Sequence, residues 1–125
     1  MSSSSQKAKA PARKSVLVID DDEIIRASIC EYLGRTGHEA FEAVNGEQGL
    51  AQCRARRVDV VITDVIMPEK DGVELILALR REFPRVKIIA MSGVDKLYLE
   101  NARKLGADEV LQKPFRLSEL DPLIS

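Results

Sequence analysis

The chain has 125 residues, 45% apolar and 31% charged, with a formal net charge of −1 at pH 7. This length and balance fit one soluble domain with a single real core. No apolar run reaches the roughly 18 residues of a membrane span, and the N-terminus lacks a signal-peptide apolar segment. A cytoplasmic location without membrane contact is therefore expected.

Residues 1–14, MSSSSQKAKAPARK, are Ser-rich and aperiodic, and they read as a disordered basic tail. Lys7, Lys9, Arg13 and Lys14 meet no acid there, so with −1 overall and +4 in the tail the remainder carries −5. Four basic residues without aromatics do not make a nucleic-acid interface, and a solvated tail is expected. The folded domain is expected over 15–125.

SVLVID (15–20) is an apolar run closed by acids, which suits a strand covered on both faces of a parallel sheet. Ile25, Ile29 and Leu33 then recur at helical spacing, with Gly34 or Gly37 able to close the helix. EAFEAV (39–44) is a weaker strand. Asn45-Gly46 marks a turn, and Leu50 with Cys53 gives the next helix its buried stripe. The third strand is DVVITD (59–64). Asp71 is placed to cap a helix carrying Val73, Leu75, Ile76, Leu77 and Leu79 and ending before Pro84. VKIIAM (86–91) is a fourth buried strand, 94–105 a helix closed by Gly106, and EVLQ (109–112) a short fifth strand. RLSELDPLI supplies a brief last helix, since Asp121-Pro122 disfavours a long one.

Five strand–helix pairs in strict alternation imply an α/β fold. With right-handed crossovers, that is a doubly wound five-stranded parallel sheet, flavodoxin-like, of order 2-1-3-4-5. Cys30 and Cys53 are too few for a disulfide framework and lack metal-ligand spacing. Lone His38, between a helix and a strand, reads as structural or exposed.

The first strand ends at Asp20 and Asp21, the third at Asp64, the fourth at Ser92 and the fifth at Lys113. Strands 1, 3, 4 and 5 are neighbours in this order, and open α/β sheets place their sites at the strands' carboxyl ends. Five polar groups from four segments should therefore share one crevice. Three gathered carboxylates repel one another, and a hard divalent cation with oxygen ligands relieves that. One carboxylate can serve as a nucleophile, while Lys113 and Ser92 suit a phosphoryl oxygen.

VLVIDDDEIIR, DVVITDVIMPEKDG, IIAMSG and LQKPF, in this order and spacing across 15–117, resemble the signature segments of the receiver domain of two-component response regulators. The final helix fits the family less well. The resemblance implies a phosphorelay switch in which Asp64 accepts a phosphoryl group from a histidine kinase or histidine phosphotransfer protein. It implies Mg²⁺, with Mn²⁺ able to replace it, served by Asp20 and Asp21, with Asp21 a direct ligand beside Asp64 and the backbone carbonyl of Ile66. Ser92 matches the hydroxyl that turns toward the phosphoryl group and Lys113 the lysine paired with it. Pro114 matches the family's cis-peptide position. The downstream protein is expected on the surface of the fourth helix, fifth strand and fifth helix, which the family often uses. No metabolic activity is expected, only self-phosphorylation and slow self-dephosphorylation.

Blander readings exist for each piece. Asp20 and Asp21 could open a loop, with Asp22 and Glu23 capping the helix; Ser92-Gly93 alone is a turn; Lys113-Pro114 alone is a surface bend. Met67-Pro68 is structural in either case. VIDDDEI also resembles the D-x-D motif of haloacid-dehalogenase-type phosphatases, with Asp20 as nucleophile, Asp22 as acid/base and Ser92 as the second-motif hydroxyl. Those folds need a longer chain and a further acidic motif. A flavodoxin-like FMN binder would need a phosphate loop where this chain has four acids.

Two departures from the family pattern stand out. The usual aromatic three residues before the lysine is replaced by Val110, with Tyr98 either a substitute or core. Ile66 and Val94, which flank the path of hydrolytic water in receivers, are both apolar and cannot orient it, so slow dephosphorylation is expected. With ten residues after Phe115, the expectation is a stand-alone regulator or a receiver excised from a longer chain.

Overall fold

Strand β1 (Ser15–Ile19) has no polar face to offer solvent, and Val16, Leu17, Val18 and Ile19 are fully buried. The computed structural model describes residues 13–65, 72–93 and 96–125, the side chains of Lys96 and Tyr98 excepted. Met67-Pro68, Asp71, Ile66, Val94 and most of the basic tail lie outside the described residues.

β1 pairs in parallel with β2 (Glu39–Ala43) on one side and β3 (Val60–Asp64) on the other. Beyond β3 follow β4 (Lys87–Ser92) and β5 (Glu109–Gln112), giving the order β2-β1-β3-β4-β5. The helices are α1 (Glu23–Arg35), α2 (Gly46–Ala55), α3 (Gly72–Glu82), α4 (Lys96–Leu105) and, after a 3₁₀ turn at Leu117–Glu119, α5 (Leu120–Ile124). The doubly wound parallel sheet expected from the alternation is what the chain forms.

The two-residue period of a strand splits the core in two. Val16, Val18, Val60, Ile62, Ile89 and Met91 pack with Ile29 and Leu33 of α1 and Leu120 and Ile124 of α5. Leu17, Ile19, Val61, Ile88 and Ala90 pack on the other face with Leu50 and Cys53 of α2, Leu75, Ile76 and Leu79 of α3, and Ala102 of α4. Gly49 on α2 sits so close to the Ile19 side chain that any Cβ would overlap it, which lets the helix lie tightly on β1.

Local chemistry sets the element ends. Asp22 caps α1, its Oδ1 accepting from the N–H groups of Ile24 and Ile25, with Glu23 in the first turn. Asn45 caps α2 by accepting from the Gln48 N–H at 2.8 Å. Of the two glycines able to close α1, Gly37 does so. It has φ +96°, and the N–H groups of Gly37 and His38 return to the carbonyls of Gly34 and Leu33. His38 accepts the Lys14 N–H through Nδ1 at 3.1 Å, which makes it a joint in the structure. Leu77, grouped by sequence with the other apolar residues of α3, is 44% exposed. It lies two positions from Leu75 and Leu79, on the opposite side of the helix.

The glycines make a paired prediction for urea unfolding. Gly34 lies within the helix with open space around it, so Gly34→Ala should stabilise by about 0.5–1 kcal/mol. Gly37→Ala should destabilise by about 1–2 kcal/mol, because its left-handed φ penalises a Cβ.

Candidate functional site

Each fully buried Val or Ile side chain contributes about 1.5–3 kcal/mol. Val60, Val61 and Ile62 can therefore anchor a carboxylate at the tip of β3 despite its desolvation cost. Asp64 is 8% exposed overall, with 12% of its side-chain surface open. Its strand is held in register with β4, Asp64 opposite Met91, and the Val65 N–H continues the ladder to the Met91 carbonyl at 3.0 Å.

Asp20 follows the last residue of β1 and is fully buried. The Lys113 ammonium reaches both acids, 2.9 Å from Asp20 Oδ2 and 2.8 Å from Asp64 Oδ2. Lys113 is itself aimed by β5, its N–H donating to the Ser92 carbonyl at 2.8 Å, and its peptide bond to Pro114 is cis. Ser92, fully buried, ends β4 beside it. Asp21 is exposed, and one carboxylate oxygen each from Asp20, Asp21 and Asp64 lies within 4.8 Å of the others. The structure thus brings together all four charged residues singled out from the sequence, with Ser92 on the same rim. Ile66 and Val94 fall outside the described residues.

Burial pushes the Asp20 carboxyl above its ordinary range, against the opposing pull of Lys113 and the Asp22 N–H, which donates to Oδ1 at 2.9 Å. Burial alone would lower the Lys113 pKa; its hydrogen bonds to Asp64 and Asp20, with their charges, outweigh this and raise it. The ammonium therefore stays charged at neutral pH. The all-oxygen donor set of the three acids fits a hard divalent cation, which would require carboxylate oxygens grouped this closely. By contrast, burial pushes the thiols of Cys30 and Cys53 up to about 11, so they act as small core groups.

Three features escaped the sequence reading. Thr63, fully buried, donates from Oγ1 to the Asp64 carbonyl at 2.9 Å. Arg26 donates to the Asp20 carbonyl at 2.7 Å. A groove of about 530 Å³ opens beside Lys113, between α1 and the segment after β5, lined by Ile24, Ile25, Ser28, Pro114, Phe115 and Leu117. The 78% exposure of Ile24 marks that groove, but in the sequence Ile24 was merely one more apolar residue beside Ile25.

The model of the response regulator receiver domain matches residues 16–125. The chain is a response regulator receiver domain. It is 33% identical over 116 residues to the transcriptional regulatory protein CrdR of Helicobacter pylori, covering 90% of this chain and 54% of that one. The chain thus spans about half the length of that curated relative. The receiver domain of the Francisella response regulator 1452 superposes with a TM-score of 0.82 at 30% identity, covering 90% of this chain and 93% of that one. A Burkholderia pseudomallei response regulator, solved with a phosphorylated aspartic acid, a calcium ion and citrate, has a TM-score of 0.83 at 26% identity. That match covers 90% of this receiver and 66% of the other chain.

Removing the ammonium leaves two nearly buried carboxylates facing each other. In metal-free buffer Lys113→Met should cost about 2–3 kcal/mol in urea unfolding, below the roughly 3–5 kcal/mol of a fully enclosed pair because one side is open to water. Adding Asp64→Asn should recover part of the loss. Because the folded pKa of Lys113 lies above the ordinary 10.5, its contribution is complete below that pH and lost only as pH climbs through the higher folded value.

Proposed function

We propose that this receiver is a Mg²⁺-dependent phosphoacceptor switch with Asp64 as the acceptor. The observation that carries the reading is the position of Asp64. It is the nearly buried acid that keeps an open face, with Lys113 at 2.8 Å and two further carboxylates beside it. In the step, an Asp64 carboxylate oxygen forms a bond to phosphorus while the phosphorus–nitrogen bond of a phosphohistidine breaks. The electron pair leaves with the imidazole, which takes up a proton. Asp20, Asp21, Asp64 and the Ile66 carbonyl would hold the ion. When bound, Mg²⁺ (or Mn²⁺) supplies positive charge against the phosphoryl oxygens.

Lys113 can stay paired with a phosphoryl oxygen at Asp64 without leaving Asp20, because its ammonium already spans both acids. Ser92 supplies the hydroxyl that turns toward the same oxygen. A histidine kinase or phosphotransfer protein would approach over the groove beside Lys113, where Ile24 offers an apolar contact.

The downstream protein would read the surface of α4, β5 and α5. Val110, opposite Ala90 in the sheet, packs half-buried against the core on the α4 side. It has no hydroxyl and no ring to swing outward, so any change at Ser92 reaches α4 by packing shifts. The whole protein's output is either that of a stand-alone regulator or that of a longer chain containing this receiver.

The match of residues 16–125 to the receiver family supports the acceptor reading over the D-x-D phosphatase alternative, and the Burkholderia response regulator carries a phosphorylated aspartic acid. Incubation with a small phosphodonor and Mg²⁺ tests both. Asp64→Asn should abolish labelling, whereas loss confined to Asp20→Asn would favour the phosphatase. The same labelled protein should dephosphorylate slowly, and an Ile66→Asn, Val94→Glu variant should lose its label faster. Unchanged decay would contradict the role given to those two positions.

A further inference from the structure

The Asp20 peptide is held from both sides. Its N–H donates to the Ala43 carbonyl at the end of β2 at 3.2 Å. Its carbonyl accepts from Arg26 Nη1 at 2.7 Å, and Arg26 Nε donates to Glu42 of β2 at 2.9 Å. Arg26 keeps only 11% of its side-chain surface exposed, so this is a packed joint. One guanidinium thus links the second turn of α1, the β1–α1 connection and the end of β2. The fork geometry matters, because its Nε and Nη1 donors serve two separate partners and an ammonium cannot match that spread.

We infer that Arg26 is a positioning residue for the divalent-cation site, fixing the peptide from which the Asp20 and Asp21 carboxylates project toward Asp64. The inference rests on the reading of those three acids as the ion's ligands. Arg26 touches none of their carboxylates; its hold is on the backbone. A second effect has the opposite sign. A positive charge near the acids repels an incoming cation, so charge alone would make removal of Arg26 tighten Mg²⁺ binding. Geometry predicts the reverse, since misplaced ligand carboxylates lose affinity. The direction of the change therefore separates the two roles.

The test is Mg²⁺ titration by calorimetry at fixed ionic strength on wild type, Arg26→Lys, Arg26→Met and Asp21→Asn, with metal-free thermal melts alongside. Arg26→Lys keeps the charge and the helix-forming stem, which guards against a variant that fails to fold. The expected result is Mg²⁺ affinity weakened about tenfold in both Arg26 variants while their melts remain cooperative. Unchanged affinity in Arg26→Lys, or tighter binding in Arg26→Met, would overturn the positioning role. A merely structural arginine would lower both melts and leave the dissociation constant of the folded protein alone, which also overturns it. If wild type shows no saturable Mg²⁺ binding, or Asp21→Asn binds as well as wild type, the reading of the acidic site itself falls, a result distinct from intact binding that ignores Arg26.

Discussion

One ammonium group holds this site in order. Lys113 stands within 3 Å of carboxylate oxygens on both Asp20 and Asp64, which reach it from two different strands. Removing a carboxylate from water costs several kcal/mol unless charge and hydrogen bonds compensate. Lys113 provides that compensation to two acids at once, and the Asp22 N–H adds to it at Asp20. Compensation is incomplete at Asp20, whose carboxyl remains above its ordinary range because of burial. The site is therefore electrostatically strained toward accepting more positive charge, and Asp21, exposed at its mouth, adds a third acid. The three acids together could hold a divalent ion, and Asp64 keeps an open face beside them.

The sheet makes this arrangement possible by being insensitive to what lies at its tips. Because helices cover both faces, the central strands β1, β3 and β4 can be almost wholly apolar, and their burial outweighs the cost of the acids at the tips of β1 and β3. Parallel pairing then aligns those ends: Ile19 is level with Thr63, Asp64 with Met91, and Ser92 with Gln112. Residues 93 positions apart in the chain, Asp20 and Lys113, meet at hydrogen-bonding distance as a consequence.

Much of this was legible in the sequence because each piece had a local physical signature. VLVI and VVIT are short apolar runs that suit strands buried on both faces, and a charged residue closing such a strand has few places to go except the carboxyl-end rim. What the sequence concealed was set by geometry in three dimensions. Gly34 and Gly37 look equally able to end α1, and the backbone's left-handed turn falls at Gly37 alone. Leu77 shares the composition of its buried neighbours but sits on the other side of α3. Arg26 reads as a routine surface arginine in DDDEIIR, since nothing local shows that its guanidinium folds back to the Asp20 carbonyl and across to Glu42. Contacts between side chain and backbone leave no periodic trace.

If these strand tips form a single cation-binding rim, paramagnetic broadening in a proton–nitrogen NMR spectrum will reveal it. Substoichiometric Mn²⁺ should broaden the amides of Asp20–Asp22, Asp64, Val65, Gly93 and Lys113 together. The amides of His38, Arg57 and Lys87, at the opposite ends of the strands, should stay sharp. Broadening scattered over the surface acids, or confined to one segment such as Asp20–Glu23 while Asp64 and Lys113 remain sharp, would contradict the account.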